Sequence, residues 1–136
     1  MVDREAAVKV EAQILPQLRV HAAAAHPLEC CGLLLGEGDH ITAAEPAANV
    51  HPSPHTHFEI DPAALIAAHR AARAGGPQVV GYYHSHPHGP PDPSATDRAH
   101  AAGDGHIWAI IGAGEIRFWR DAQSGFERLS CAMGSG

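Results

Sequence analysis

Residues 79–97 connect an apolar run to the start of a helix, and they read Val79-Val-Gly-Tyr-Tyr-His84-Ser-His86-Pro-His-Gly-Pro-Pro-Asp-Pro-Ser94-Ala-Thr-Asp97. The short apolar run before His84 predicts a buried strand. The segment Gly89–Pro93 predicts a rigid loop, and the serine that follows it is a favoured residue at a helix start. The stretch therefore predicts a strand, a tight connection and a helix, which are the pieces of a mixed α/β domain.

Four polar side chains of this stretch form a candidate metal site. His84 and His86 are two residues apart on the predicted strand, so they share one face with Cα atoms about 6–7 Å apart. Ser94 and Asp97 are three residues apart at a helix start and also share a face. Two imidazoles and one carboxylate can hold a divalent ion such as zinc and leave a fourth position open for water, as in catalytic zinc sites. Spacing alone leaves open that both histidines are ordinary polar residues at a strand end.

Several other zinc sites are excluded by their spacing. The chain contains neither HExxH, the zincin signature, nor any CxxC pair, which a zinc deaminase needs. His88 and Gly89 stand where the HxHxDH pattern of metallo-β-lactamases has aspartate and histidine. Pro90 and Pro91 stand where a cupin-like site would have a glutamate.

Outward from this stretch, the pattern of apolar residues, glycines and prolines predicts one mixed sheet with helices beside it. The predicted order is strand, helix, strand, strand, helix, strand, helix, strand and a terminal hairpin. Strands are predicted over residues 8–10, 31–36, 41–50, 79–84 and 106–111, a hairpin over 115–120 and 126–130, and helices over 14–25, 63–73 and 94–102. Pro46 interrupts the third strand and predicts an edge position for it.

The composition predicts one folded domain that covers residues 1–136. Hydrophobic residues make up 45% of the chain and charged residues 18%, which excludes a disordered chain. The formal net charge of −6 argues against a non-specific nucleic-acid binder, because such a protein needs a basic surface.

The N-terminal sequence and the cysteines predict a cytoplasmic protein. No apolar run is long enough for a membrane span, and the acidic start of the chain is unlike a secretory signal. Three cysteines, two of them adjacent, do not make a disulfide framework. We expect Cys30 and Cys31 to be free thiols that pack as small apolar residues, and a reactive thiol is the alternative.

The remaining histidines carry weaker expectations. His55 and His57 form a second HxH pair, but a proline-rich loop surrounds them and no carboxylate pair follows, so we expect surface or groove positions. His88 follows Pro87 and is a loop residue, and it is the replacement ligand to test if Asp97 is not one. Solvated positions are expected for His21, His69 and His100.

The stretch resembles a known signature. HSHP, with seven residues between its second histidine and a serine that begins SxxD, resembles the JAMM motif of the MPN-plus, or JAB, metallopeptidases. Pro27-Leu-Glu29-Cys-Cys-Gly32-Leu-Leu-Leu-Gly36 resembles the family's P-x-E-x-x-G-L-L-x-G block. Asn49 and Phe58-Glu-Ile-Asp-Pro62 resemble the middle of the small prokaryotic members. The resemblance covers Ala7 to about Gly114, and it implies the MPN fold, a curved mixed β-sheet flanked by helices in one α/β domain.

The resemblance also implies roles for five residues. His84, His86 and Asp97 would hold Zn²⁺, Glu29 would be the general base, and Ser94 would support the tetrahedral intermediate. Spacing alone does not bring Glu29 to the metal, because a glutamate after a helix is usually solvated. Ser94 alone is explained equally well as a helix cap.

A zinc-dependent peptidase or isopeptidase follows from the resemblance. The expected substrate is the amide bond after the C-terminal Gly-Gly of a ubiquitin-like sulfur-carrier protein, for example with release of cysteine. Only 39 residues follow Asp97, which leaves little room for the large insertions with which other family members bind ubiquitin. A non-catalytic MPN-type scaffold module and a zinc hydrolase of a small-molecule amide are the alternatives. The sequence leaves open the carrier, the leaving group, the pathway, the native ion and whether the chain forms a homo-oligomer, and it predicts neither a nucleic acid nor a membrane as partner.

Overall fold

The computed structural model describes residues 7–134. Within them the chain forms seven strands and three helices. In chain order these are β1 Ala7–Val10, α1 Ile14–Ala25, β2 Cys31–Glu37, β3 His40–Ala47, α2 Pro62–Arg73, β4 Gln78–His86, α3 Ala95–His100, β5 Ile107–Gly112, β6 Glu115–Ala122 and β7 Gly125–Met133. None of the helices in this part of the chain is both long and apolar enough to cross a bilayer.

The strands form one mixed sheet in the order β1-β3-β2-β4-β5-β6-β7. The pairs β4–β5, β1–β3 and β1–β7 are parallel, and the other neighbours are antiparallel. The predicted fold class, a curved mixed sheet flanked by helices, is confirmed. The structure adds that the curvature is complete, because β1 pairs with both β3 and β7 and closes the sheet into a barrel.

Two apolar clusters hold the fold together. The larger one joins α1 to the barrel through Ile14 and Leu18, which are fully buried against residues of β1, β4 and β5. The smaller cluster lies under α2 and includes Ala68 of that helix. Cys30 and Cys31 are buried in these clusters as free thiols, which confirms their predicted apolar role.

His21 is where the expectation of solvated histidines was wrong. Its ring is half-buried on α1, and Nδ1 lies 2.7 Å from the hydroxyl oxygen of the buried Tyr83. A buried hydroxyl needs a hydrogen-bond partner, and the tyrosine finds it on the helix above the sheet. His69 and His100 are exposed, as expected.

The segment after β3 also differs from the expectation. The predicted strand 41–50 ends at Ala47, and Asn49 instead forms an isolated bridge with Ile60. Ile41 is the last residue of β3 that pairs with β1. Pro46 lies beyond it, where β3 pairs only with β2, so this proline is at an open strand edge as predicted.

The pairing of β2 with β4 positions the site. The two strands are antiparallel, and Cys31 at the start of β2 lies opposite His84 near the end of β4. A Cβ at Gly32 would overlap the Tyr83 ring, so only glycine allows the strands this close packing. Residues just before β2 are therefore delivered beside the histidines of β4.

Candidate metal centre and active site

His84, His86 and Asp97 converge at the end of β4. The two histidine Nε2 atoms are 3.1 Å apart. Nε2 of His84 lies 3.1 Å from Oδ1 of Asp97, and Nε2 of His86 lies 3.0 Å from Oδ2 of the same carboxylate. In the described part of the chain, this is the group of three potential ligands whose donor atoms all lie within 4.8 Å of one another. The structure thus brings together the three side chains that the spacing predicted.

His84 is enclosed by aromatic rings. It is 1% exposed, its ring stacks on Phe58 at 4.3 Å between centroids, and Trp108 contacts it edge-on at 5.7 Å. Burial lowers the pKa of the His84 imidazole, although the Asp97 carboxylate opposes this shift. The ring is therefore held neutral, which is the form that binds a metal ion.

His86 is oriented by the proline-rich loop. Its Nδ1 donates to the carbonyl oxygen of Pro90 at 2.7 Å, which leaves Nε2 free to face Asp97. A second hydrogen bond of this kind orients most metal-binding histidines. Burial lowers the pKa of His86, but the hydrogen bonds to Asp97 and Pro90 outweigh burial and raise it. The loop is itself held by Trp119 of β6, whose Nε1 donates to the Pro91 carbonyl at 3.1 Å.

Asp97 belongs to a capping box at the start of α3. The Ser94 hydroxyl accepts from the Asp97 N–H at 3.0 Å, and Oδ2 of Asp97 accepts from the Ser94 N–H at 2.9 Å. Burial alone would raise the pKa of Asp97, but hydrogen bonds from His84 and His86 outweigh burial and hold the pKa far below its usual range. The carboxylate is therefore ionised and fixed in place.

Glu29 faces the same site from the other side. It precedes β2, is 8% exposed and lines a cavity together with Asp97. Burial raises the pKa of the Glu29 carboxyl to about 7, the Asp97 charge adds to the increase, and His86 opposes it. Its carboxylate is outside the three-ligand group found among the described residues.

Two cavities meet at Glu29, Thr56 and Thr96, which line both of them. The first has a volume of about 350 Å³ and mainly apolar walls, which include Phe58, Leu65, Tyr82 and Trp108. The second has a volume of about 380 Å³ and lies along the proline-rich loop beside His86 and Ser94. The candidate active site is thus the midpoint of a groove, as an extended substrate would need.

The donor set fits a divalent metal ion. Two imidazole nitrogens and one ionised carboxylate converge, and such nitrogen and oxygen donors accept zinc among several divalent ions. A bound cation would also relieve the close approach of the two Nε2 atoms to each other, because both could then direct lone pairs to the ion.

The other candidate histidines lie around the site. His88 contacts His26 ring to ring and is outside the three-ligand group of the described residues, so nothing in the geometry favours it over Asp97. His55 is exposed and lines the second cavity. His57 stacks on His51 in the first cavity, so the expectation of groove positions is confirmed.

Two supporting residues escaped the sequence reasoning. The Ser85 hydroxyl, between the two histidines, accepts from the Cys30 N–H at 2.9 Å. The Asn49 amide donates to the Glu29 carbonyl at 3.0 Å. The signal for Ser85 was its place between two ligands on a buried strand. The only signal for Asn49 was that it fits the family resemblance. Neither hydrogen bond could be predicted from local sequence, because both depend on the tertiary fold.

Known proteins resemble the chain in sequence and fold. The family model described as prokaryotic homologues of the JAB domain matches residues 11–122. A desampylase of Haloferax volcanii is 41% identical over 99 residues, which are 71% of each chain. A probable TtuB-protein conjugate cleaving protease of Thermus thermophilus is 39% identical over 84 residues, which are 62% of this chain and 56% of that protein.

Solved structures add agreement at the level of the fold. A JAB1/MPN domain protein from Archaeoglobus fulgidus superposes with a TM-score of 0.60 at 19% identity, over 93% of this chain and 97% of that one. The family match over most of the chain and the two enzyme relatives confirm the predicted family and the predicted enzyme class. With its His-His-Asp group and adjacent glutamate, the chain belongs to the prokaryotic homologues of the JAB domain and is a hydrolase of that family.

Proposed function

We propose that the chain is a zinc-dependent peptidase that hydrolyses the amide bond after the C-terminal Gly-Gly of a ubiquitin-like sulfur-carrier protein, for example with release of cysteine. One observation carries the proposal: a buried carboxylate, Glu29, lines one cavity with Asp97 and a second cavity with His86, and both partners belong to a convergent His-His-Asp group. A metal site and a neighbouring base are the two parts that metal-assisted amide hydrolysis requires.

The three-ligand group would hold the ion. His84, His86 and Asp97 are pre-positioned by β4 and by the capping box of α3, so little reorganisation accompanies binding. When bound, a divalent ion supplies Lewis-acid chemistry, which polarises a carbonyl group and makes water more acidic.

Glu29 would act as the general base and then as the general acid. Its carboxylate would accept a proton from the attacking water and later deliver that proton to the departing amine nitrogen. In the metal-free protein burial raises the pKa of Glu29 to about 7, and a group that titrates near neutral pH can both accept and donate a proton.

Ser94 would stabilise the carbonyl oxygen as negative charge develops on it. Its hydroxyl oxygen accepts the Asp97 N–H, so the hydroxyl hydrogen is left to donate elsewhere. Ser94 lines the second cavity beside Glu29, and this supports a donor role toward a substrate in the groove.

The names of the relatives support the substrate class. One relative is named for cleaving TtuB–protein conjugates, and another is named a desampylase. A Gly-Gly tail suits the place where the two cavities share Glu29, Thr56 and Thr96, because glycine lets the main chain approach the reacting groups closely.

We also propose a single domain of this family over residues 1–136, of which residues 11–122 match the family model. A cytoplasmic location is part of the proposal and is supported by three cysteines that form no disulfide in the described chain.

A direct assay tests the function. A Gly-Gly-tailed carrier extended by cysteine, the same carrier joined to a lysine side chain, and a small amide would be incubated with the protein, with and without chelator. Mass spectrometry would follow release of the carrier, and a carrier with an Ala-Ala tail would be the matched control substrate. We expect metal-dependent release from the Gly-Gly carriers only.

The other outcomes separate the alternatives. Hydrolysis of the small amide but not of the carriers would favour a small-molecule amidase. Purified protein without bound metal, and without turnover after zinc is added, would favour a scaffold module. Undiminished turnover in the presence of chelator would overturn the metal-dependent mechanism.

A further inference from the structure

The side chain of Asn49 makes four hydrogen bonds. Nδ2 donates to the carbonyl oxygens of Glu29 and His57, each at 3.0 Å. Oδ1 accepts from the N–H groups of His51 at 3.1 Å and Glu59 at 3.0 Å. A carboxamide has two N–H donors and one oxygen with two lone pairs, so the full capacity of this side chain is used.

The main chain of Glu29 is held from outside the sheet. Glu29 precedes β2, and its N–H donates to the carbonyl oxygen of Pro54 at 2.8 Å. Its carbonyl oxygen accepts from Asn49. Both main-chain groups of the proposed base are therefore bonded to Asn49 or to the segment of residues 50–59 that follows it.

The 50–59 segment also touches the ligands and the groove. Phe58 stacks on the ring of His84, and Thr56 lies where the two cavities meet. A residue that joins this segment to Glu29 thus connects the base to the wall of the substrate groove.

We propose that Asn49 is a positioning residue, which holds Glu29 at the distance from the metal ligands that proton transfer requires. The inference rests on the proposed function. The neighbouring Cys30 is fixed to β4 through the Ser85 hydroxyl, and Asn49 anchors the carbonyl group of Glu29 that precedes this bond. A displacement of about 1 Å between catalytic groups can cost on the order of 100-fold in rate.

Asn49→Asp is the decisive variant because it separates two tasks. The carboxylate still accepts from His51 and Glu59 and so keeps two of the three bonds to the 50–59 segment, but it lacks the donors to the carbonyls of Glu29 and His57. We expect kcat to fall by roughly 10- to 100-fold, with metal affinity within about twofold of the unmodified protein. In a Glu29→Gln background the same substitution is expected to have no further effect on kcat, because a positioning residue acts only through the group it positions.

Controls separate this role from a loss of stability. Asp121→Asn alters a buried carboxylate that accepts from Ala102 and Gly103 and lines neither of the two cavities. This variant shows how much kcat changes when the melting temperature falls by a comparable amount. Hydrogen exchange at the amides of His51 and Glu59 reports whether the segment stays ordered. Asn49→Ala, which removes all four hydrogen bonds, is the second variant and is expected to lose both exchange protection and kcat.

Four results would overturn the inference. The first is that both Asn49→Asp and Asn49→Ala keep a kcat within twofold of the unmodified protein, and the second is that Asp121→Asn loses as much kcat as Asn49→Asp. The third is that Asn49→Asp lowers kcat by the same factor in the Glu29→Gln background, and the fourth is that Asn49→Asp loses metal affinity in parallel with kcat. If the unmodified, metal-loaded protein cleaves none of the carriers, the proposed function fails and the inference falls with it. If the unmodified protein cleaves the carriers and the Asn49 variants keep the same kcat, the proposed function stands and only the role of Asn49 is refuted.

Discussion

The two sides of the proposed active site, its proposed metal ligands and its proposed base, are built in different ways. The ligand side, His84, His86 and Asp97, comes from 14 consecutive residues that form a strand end, a loop and a helix start. The base side, Glu29, comes from before a different strand and is held by Asn49 and by the 50–59 segment. Local geometry therefore sets the ligands, whereas the base depends on long-range hydrogen bonds. Substitutions on the ligand side should affect metal binding and turnover together, and those on the base side should affect turnover while metal binding stays intact.

Asp97→Ala is expected to have the largest effect. It removes a ligand and half of the capping box, so bound metal and turnover should both fall to background, with a loss of stability of about 1 kcal/mol from the cap. Elemental analysis after dialysis and the rate of carrier release would measure this. Asp104→Ala, which removes a carboxylate paired with His106 outside the site, is the control. Full metal content in Asp97→Ala would show that the third ligand is another residue, and His88→Ala would then be compared.

Glu29→Gln should remove the proposed base and leave the metal ligands in place. We expect turnover to fall by roughly 100- to 10,000-fold, because the amide cannot take the proton of water, while metal content stays unchanged. Elemental analysis and the rate of carrier release would measure the two effects. Glu45→Gln, at an exposed position of β3, is the matched control. An active Glu29→Gln protein would refute the proposed base.

Two variants of Ser94 would separate its cap from its hydroxyl donor. Ser94→Ala should lose roughly 100-fold in rate and about 1 kcal/mol of stability. Ser94→Gly should lose the same rate but only a few tenths of a kcal/mol, since glycine is tolerated at a helix cap. Carrier release and thermal unfolding would measure the two effects. Full activity in Ser94→Gly would leave the serine with a structural role only.

The smallest predicted effect is on the stability of metal-free protein. Burial raises the pKa of Glu29 to about 7 from the value of 4.5 expected in the unfolded chain. The unfolded chain therefore releases this proton first, and the Glu29 contribution to stability falls as pH rises from about 4.5 to about 7 and is constant above that. Relative to Glu29→Gln, the unmodified protein should lose on the order of 2 kcal/mol across this range.

Unfolding in denaturant at pH 5 and pH 8, with chelator present, would measure the difference between the two proteins. An excess of divalent ion should shrink the difference, because a nearby cation favours the carboxylate form. A difference that does not change with pH would show that Glu29 is solvated in the metal-free protein.

The same contrast explains how much the sequence could predict. His84 and His86 were found because strand alternation places residues two apart on one face, and Asp97 because a helix start was recognisable three residues before it. Glu29 was placed at the site only by resemblance, since the pairing of Cys31 with His84 is a property of the folded sheet.

Other features were invisible because their partners are distant in the chain. The four bonds of Asn49 join residues from both sides of it, and no local pattern announces them. His21 was expected in solvent because nothing in its helix indicates the hydroxyl of Tyr83 on β4. The closure of the barrel by β1 was likewise not predicted, since a strand of four residues shows no preference for its neighbours.

The capping box has a consequence for recognising active members among related sequences. Ser94 and Asp97 stabilise the start of α3 whether or not hydrolysis occurs, so a lineage that abandoned catalysis would still gain from retaining both. Glu29 is different, because burial of its carboxylate is unfavourable for the fold, and the proposed proton transfer is the gain that would offset this cost. A glutamate retained at this position is therefore the more reliable marker of a working enzyme.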